Sequence, residues 1–369
     1  MKRAAAAAIS LMTGLAMLTG CSRAEVEETI QPLVADAIEE SDSEAEAVKE
    51  EDESPLIPEI DTDIKIHAGS RIAVVSKCVK GEYWKMVKKG MEDAVKEINK
   101  AYGYKKDDQI TMTFEGPDNE EDVETQINTI DAVIAENPDV LCISASDMDS
   151  CEAQLEAAKE NGIPVIEFDS NLAEKKLVKA YRGTDNVQVG KMAAYQLGSA
   201  LGKMGKVAVF SAQQKTKSVQ DRVEGFMNNI GKYGDIEVVE TIYSDQVDDM
   251  EASMKEVLEK YPTLDGVFCT NADITEMYLN LEKSDEHDAP ALVGVDATTK
   301  QQEAIRNGEE IGCVSQQPYA MGYQTIWAAV ETTAPKKSVV IEKNVLSNPA
   351  WIDADCLDDP DYSGYLYTE

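Results

Sequence analysis

Residues 140–169 read VLCISASDMDSCEAQLEAAKENGIPVIEFD. The string divides into three parts. Val140 to Ile143 is a short apolar run of the kind buried in a parallel sheet. Asp149 to Asn161 reads as a helix and stops at Gly162 and Pro164, residues that end helices. Val165 to Phe168 is a second apolar run, closed by Asp169. A strand, a helix and a strand in this space make one right-handed βαβ unit.

The same alternation extends both ways. Upstream, strands are predicted at Arg71 to Ser76 and Ile110 to Phe114, with helices over Tyr83 to Ala101 and Asp122 to Asn137. The first helix puts Trp84, Val87, Met91, Val95 and Ile98 on one face. Downstream the pattern restarts. Helices are predicted at 187–201, 219–233, 249–260, 274–281, 300–307 and 319–332, and strands at 206–210, 236–243, 266–269, 291–295 and 311–315. Two runs of this kind predict an α/β chain of two similar lobes with parallel sheets. In open parallel sheets ligands bind beyond the carboxyl ends of the strands. Polar residues gather there: Asp147 and Asp149, Asp169-Ser170-Asn171, Asn271, Asp296 and Gln316-Gln317.

The chain has 369 residues, room for two ordinary domains, and 43% hydrophobic residues, enough for real cores. A formal net charge of -35 argues against nucleic acid, since phosphate recognition needs a basic surface. Between Glu25 and Asp63 stand sixteen carboxylates and a single lysine, Lys49, with no aromatic residue. Such a segment repels itself and is expected to remain a solvated tether over 21–69.

Before the tether, Lys2-Arg3, an apolar run from Ala4 and then Leu18-Thr-Gly-Cys21 have the layout of a secretory signal. The run is short for a permanent membrane span. Leu-Thr-Gly-Cys looks like a bacterial lipobox. It predicts a signal peptide over 1–20, lipidation at Cys21, and a protein held on the extracytoplasmic face of the cell membrane.

Enzyme chemistry finds little support. The chain has two histidines, His67 and His287, and no CxxC pair, so a zinc site is not expected. There is no GxSxG elbow and no GxGxxG loop after the first strand. Asp245 to Glu251 lacks the residue order of a calcium loop. No cofactor or metal is expected. Cys142, Cys269 and Cys313 fall inside apolar strands, where cysteine acts as a small core residue; a Cys142–Cys151 disulfide stays open.

Several strings in order resemble the periplasmic sugar-binding proteins, the ribose-binding type in particular. They are Ile143-Ser-Ala-Ser-Asp-Met-Asp149, Pro164-Val-Ile-Glu-Phe-Asp169, Thr184-Asp-Asn-Val-Gln-Val-Gly190, Arg222-Val-Glu-Gly-Phe226, Val293-Gly-Val-Asp296 and Gln316-Gln-Pro318. The resemblance runs from Arg71 to the end of the chain. It implies a type I bilobed clamp, two Rossmann-like lobes with parallel sheets joined by a three-strand hinge. The N-terminal lobe would be 70–183 with 317–345, and the C-terminal lobe 184–316 with 346–369. It implies that Tyr83 and Trp84 offer rings to a sugar face, and that Asp169, Ser170, Arg222, Gln246, Asn271, Asp296 and Gln316 meet its hydroxyls. Ser170 stands where the ribose type has an arginine, and the loop Lys77 to Glu82 lacks the family's asparagine pair. Both departures point away from ribose itself.

Other readings exist for single residues. Trp84 also begins the apolar stripe of its helix, Asp169 and Asp296 also suit helix caps, and Arg222 also suits an ion pair. The expected function is a solute-binding lipoprotein, a monomer, that captures a monosaccharide-like ligand and delivers it to the permease of an ABC importer. The alternative is a sensor coupled to a membrane receptor such as a histidine kinase. A LacI-like repressor would need a DNA-binding headpiece where this chain has a signal and an acidic stretch.

Overall fold

In a computed structural model the described residues are 57–281, 289–335 and 339–368. Cys21, the signal segment and most of the acidic stretch lie outside them, as does His287. Two six-stranded sheets organise the rest.

The first sheet is built from β1 (Arg71–Val75), β2 (Thr111–Glu115), β3 (Val140–Ile143), β4 (Val165–Phe168), β5 (Val178–Thr184) and β11 (Asn344–Ser347). Its order is β11-β5-β4-β3-β1-β2, all parallel. The second contains β6 (Met204–Ser211), β7 (Asp235–Tyr243), β8 (Gly266–Cys269), β9 (Ala291–Val295), β10 (Gly312–Ser315) and β12 (Ala350–Ile352). Its order is β12-β10-β9-β8-β6-β7, with β12 antiparallel at one edge.

Fully apolar strands such as Val140–Ile143 and Gly266–Cys269 are buried along their whole length, because helices cover both faces of each sheet. On the first sheet these are α1 (Glu82–Tyr102), α2 (Val123–Ala135), α3 (Glu152–Glu160) and α9 (Pro318–Glu331). On the second they are α4 (Asn186–Ala200), α5 (Lys217–Ile230), α6 (Met250–Lys260), α7 (Ala272–Leu279) and α8 (Thr299–Asn307). The chain passes from one sheet to the other three times: after Thr184, after Ser315 and after Ser347. The third passage had been expected at 345, but β11 pairs with β5 through Ser347.

The strands β5, β11 and β12 were not predicted. β5 carries Lys179, Arg182 and Thr184, which break an apolar run, and the other two are too short to show a period. From Ile57 the chain has no regular structure yet packs on the first lobe. Ile66 is buried, and the Tyr102 hydroxyl donates to the carbonyls of Asp61 and Ile64. That part of the expected tether is therefore a packed strap. The six cysteines of the described residues are free thiols, Cys142 and Cys151 among them. Among the described residues no helix is long and apolar enough to cross a membrane.

Each lobe has one helix pair in backbone contact. In the first, a methyl group added at Gly90 would lie 2.0 Å from the Tyr319 carbonyl oxygen, and one at Gly322 2.1 Å from that of Val87. In the second, Gly190 would meet the Arg222 carbonyl at 1.9 Å and Gly225 that of Val187 at 2.1 Å. Only glycine permits helices to approach this closely. Gly190→Ala is expected to force α4 and α5 apart and cost about 1–3 kcal/mol, the range for overpacking. Chemical denaturation of the variant checks it; unchanged stability would show that the crossing relaxes freely.

Candidate functional site

The carboxyl ends of the two sheets face each other across a cavity of about 770 Å3. One wall comes from each lobe. The first is laid down by the ends of β1 and β4 and the start of α1. Gly81, with φ of 85°, turns the chain into α1, so that Tyr83 and Trp84 enter the cavity from its first turn. The second wall comes from the starts of α5 and α7 and the ends of β9 and β10.

Two aspartates take matching positions. Asp169 follows β4 with φ of 57°, and Asp296 follows β9 with φ of 78°. Left-handed backbone is unfavourable for residues other than glycine, by about 1–2 kcal/mol. The same conformation recurs at the same place in both lobes, and both residues line the cavity. In each case the amide donates to a carbonyl of the neighbouring strand: Asp169 to Arg182 at 2.9 Å, Asp296 to Val314 at 3.0 Å. That bond turns the carboxylate off the strand and into the cleft.

Asp169 is buried and accepts from the Tyr83 hydroxyl (2.7 Å) and the Ser144 hydroxyl (2.8 Å). The Lys77 ammonium lies 3.0 Å from it and 3.7 Å from Glu120. Burial alone would raise the Asp169 pKa; Lys77 and the hydrogen bonds outweigh it and hold the carboxyl below its usual range. Burial likewise opposes the charge on Lys77, but Asp169 and Glu120 prevail and raise its pKa. Burial and the Asp169 charge push the Tyr83 phenol well up, so it stays a donor.

Asp296 accepts from the Gln316 amide (2.7 Å), the Tyr367 hydroxyl (2.9 Å) and the Ala272 amide (3.0 Å). Asn271 caps α7 by accepting from the Ile274 amide at 3.1 Å. Arg222 is buried; its Nε donates to Asn186 at 2.8 Å and one terminal nitrogen to the Thr270 carbonyl at 2.7 Å. The two bonds lock the guanidinium plane at the cavity wall. Trp84 donates to Glu120 at 2.7 Å while its ring packs on Phe168, so it serves the core and the cavity together.

Tyr83, Trp84, Asp169, Arg222, Asn271, Asp296 and Gln316 thus all line the cavity. Ser170 and Gln246 do not. Ser170 is buried behind Asp169 and accepts from the Ser218 amide at 3.4 Å, because the left-handed turn at Asp169 sends the next side chain away from the cleft. Gln246 is exposed and donates to Gln214 at 2.7 Å; Ser244, Val247 and Asp248 face the cavity in its stead.

Sequence reasoning missed Lys77, Glu120, Asp273 and Tyr367. Lys77 follows Ser76 at the end of β1, so the strand-end rule that found Asp169 pointed to it as well. Asp273 is reached by water yet stands between protein walls. Desolvation in the cleft, then the like charges of Glu120, Glu276, Asp296 and Glu121, raise its pKa. Carboxylates outnumber cations around the cavity. Among the described residues no group of three or more His, Cys, Asp or Glu is placed to hold a metal ion.

Residues 72–337 match the family described as the periplasmic binding protein domain. The chain belongs to this family. A ribose import binding protein of Bacillus subtilis is 26% identical over 220 residues, 60% of this chain and 71% of that protein. A xylitol-binding protein of Mycolicibacterium smegmatis is 25% identical over 57% of this chain and 60% of its own length. Among solved structures, an ABC transporter solute-binding protein of Agrobacterium vitis bound with α-D-tagatopyranose superposes with a TM-score of 0.74 at 25% identity, covering 81% of this chain and all of that one. Another from the same organism, with bound D-fucose, gives 0.72 at 26% identity, with the same coverage. Two mostly parallel sheets and three passages between them are the type I architecture of periplasmic binding proteins.

Lys77 and Asp169 make stability depend on pH. With its folded pKa lowered, Asp169 stabilises above its unfolded value and loses that contribution as pH falls through the folded one. Lys77, raised, stabilises fully below its unfolded value and loses this as pH rises through the folded one. The pair therefore contributes fully between roughly pH 4 and pH 10. Lys77→Met is expected to cost about 3 kcal/mol at pH 7, because it strands a buried carboxylate. Urea unfolding at pH 7 and at pH 3 tests this: the loss should shrink in acid, and an equal loss at both values would remove the ion pair as its cause.

Proposed function

We propose that this protein is an extracytoplasmic solute-binding lipoprotein that captures a monosaccharide-like ligand between its lobes and presents it, as a monomer, to an ABC importer. The observation that carries the reading is the pair of left-handed aspartates facing each other from the two lobes across one cavity. A carboxylate has about four acceptor positions. Asp169 meets three donors within the protein, and so does Asp296. Each keeps room for one more hydrogen bond, which suits a sugar hydroxyl. Arg222 supplies donors, and the rings of Tyr83 and Trp84 cover a C–H face. The sugar chemistry of the relatives supports this assignment. The acidic lining would disfavour phosphorylated or carboxylated sugars by charge repulsion.

Ligand contacts from both lobes would favour the closed form, which an importer can recognise. Cys21 would carry the lipid, and the acidic stretch after it would set how far the clamp reaches from the membrane. Replacing Cys21 with Ser should release the protein from washed membranes into the soluble fraction; a variant that stays membrane-bound would refute lipidation there.

For the ligand, a thermal-shift panel of D-ribose, D-allose, D-fucose, D-tagatose and xylitol is the direct test. A sugar present at 100 times its Kd should stabilise by about 2.7 kcal/mol. Asp169→Ala and Arg222→Ala should each abolish the shift. Full binding in both variants would overturn the site, and silence across the panel in the wild type would overturn the ligand class.

A further inference from the structure

Tyr367 belongs to neither wall of the cavity, yet it touches a ligand-facing group of each lobe. It sits in the closing segment after β12, beyond a short 3-10 turn at Pro360–Tyr365. The backbone of this segment is fastened to the second lobe. The Tyr367 amide donates to the Ala297 carbonyl at 3.0 Å, Gln302 donates to the Tyr367 carbonyl at 2.8 Å, and the Ser315 hydroxyl donates to the Tyr365 carbonyl at 2.5 Å. The side chain points the other way. Its ring joins the core of the first lobe and meets the Tyr83 ring at 5.9 Å, tilted by 55°. Its hydroxyl donates to Asp296 at 2.9 Å. Only 1% of the residue is exposed.

The result is a buried series that runs from lobe to lobe: Asp169, Tyr83, Tyr367, Asp296. Each aspartate accepts from one tyrosine, and the two rings lie against each other. A tyrosine hydroxyl donating to a carboxylate fixes which oxygen remains open, and ring contact ties one such choice to the other. We propose that Tyr367 is a cross-lobe positioning residue: from the closing segment it aims Asp296 and backs Tyr83, so that both aspartates present their open acceptor positions to one ligand at once. The proposal rests on the sugar-cleft reading of the same site.

The test uses Tyr367→Phe, which retains the ring and removes the hydroxyl. Binding of the five-sugar panel is measured by calorimetry and stopped flow, and amide hydrogen exchange is followed at Ala272, whose N–H donates to Asp296 at 3.0 Å. Expected are about a tenfold weaker Kd, as for loss of one hydrogen bond to a charged group, a faster off-rate, and an Ala272 amide that exchanges several-fold faster. The Tm of the ligand-free variant should stay within a few degrees of wild type, which a purely structural role would not allow. Gln302→Ala, which loosens the segment and leaves the hydroxyl in place, should weaken binding in the same direction. Wild-type affinity in Tyr367→Phe overturns the proposal, whatever the exchange rate. If the wild type binds no sugar of the panel, the ligand class has failed, and Ala272 exchange alone decides the positioning claim: an unchanged rate overturns it.

Discussion

A buried carboxylate must be surrounded by donors or it takes up a proton, and this requirement organises the cleft. Asp169 and Asp296 close equivalent strands, β4 and β9, in a backbone conformation that disfavours them. They stay there because the surroundings over-determine them. Lys77, Tyr83 and Ser144 converge on one; Gln316, Tyr367 and the Ala272 amide converge on the other. These partners come from distant parts of the chain: β1, α1, β3, α7, the β10–α9 passage and the closing segment each bring a donor to one of the two carboxylates. The same donors leave one acceptor position on each.

The lobes meet that requirement by parallel means. Each has a helix pair packed backbone to backbone through two glycines, Gly90 with Gly322 and Gly190 with Gly225. In the first lobe the crossing fixes the start of α1, and with it Tyr83 and Trp84. In the second it fixes α5, and with it Arg222. Contacts between the lobes include the Tyr83–Tyr367 ring contact and several polar bonds. Glu82 accepts from the Thr299 amide at 2.7 Å, and the Ser146 carbonyl accepts from Gln213 at 3.0 Å and Thr216 at 2.6 Å. The Glu82–Thr299 bond is exposed at the rim, whereas the two bonds to the Ser146 carbonyl are buried.

The cleft's charge is a separate matter from its shape. Lys77 is tied to Asp169 and Glu120, and Arg222 to Asn186 and Thr270, so the inner cations are already engaged. Asp273 remains among like charges and shifts toward neutrality.

The sequence by itself determined the fold class and most of the site. Apolar runs alternating with amphipathic helices are local patterns, and the strand-end rule needs only the strand positions to find Asp169, Asn271, Asp296 and Gln316. What local pattern could not carry was left to the tertiary structure. β5 hides behind Lys179 and Arg182, because its neighbours in the sheet, not its own period, make it a strand. Ser170 and Gln246 looked like ligand residues by position, but one left-handed turn and one exposed 3-10 turn direct them elsewhere. Lys77 and Asp273 acquire their meaning from charges far away in sequence. Tyr367 is the clearest case: nothing in its neighbourhood along the chain announces a role, and only the return of the closing segment between the lobes places its hydroxyl on Asp296. Side-chain direction and long-range charge are properties of the packed whole, and they decide what a strand-end residue does.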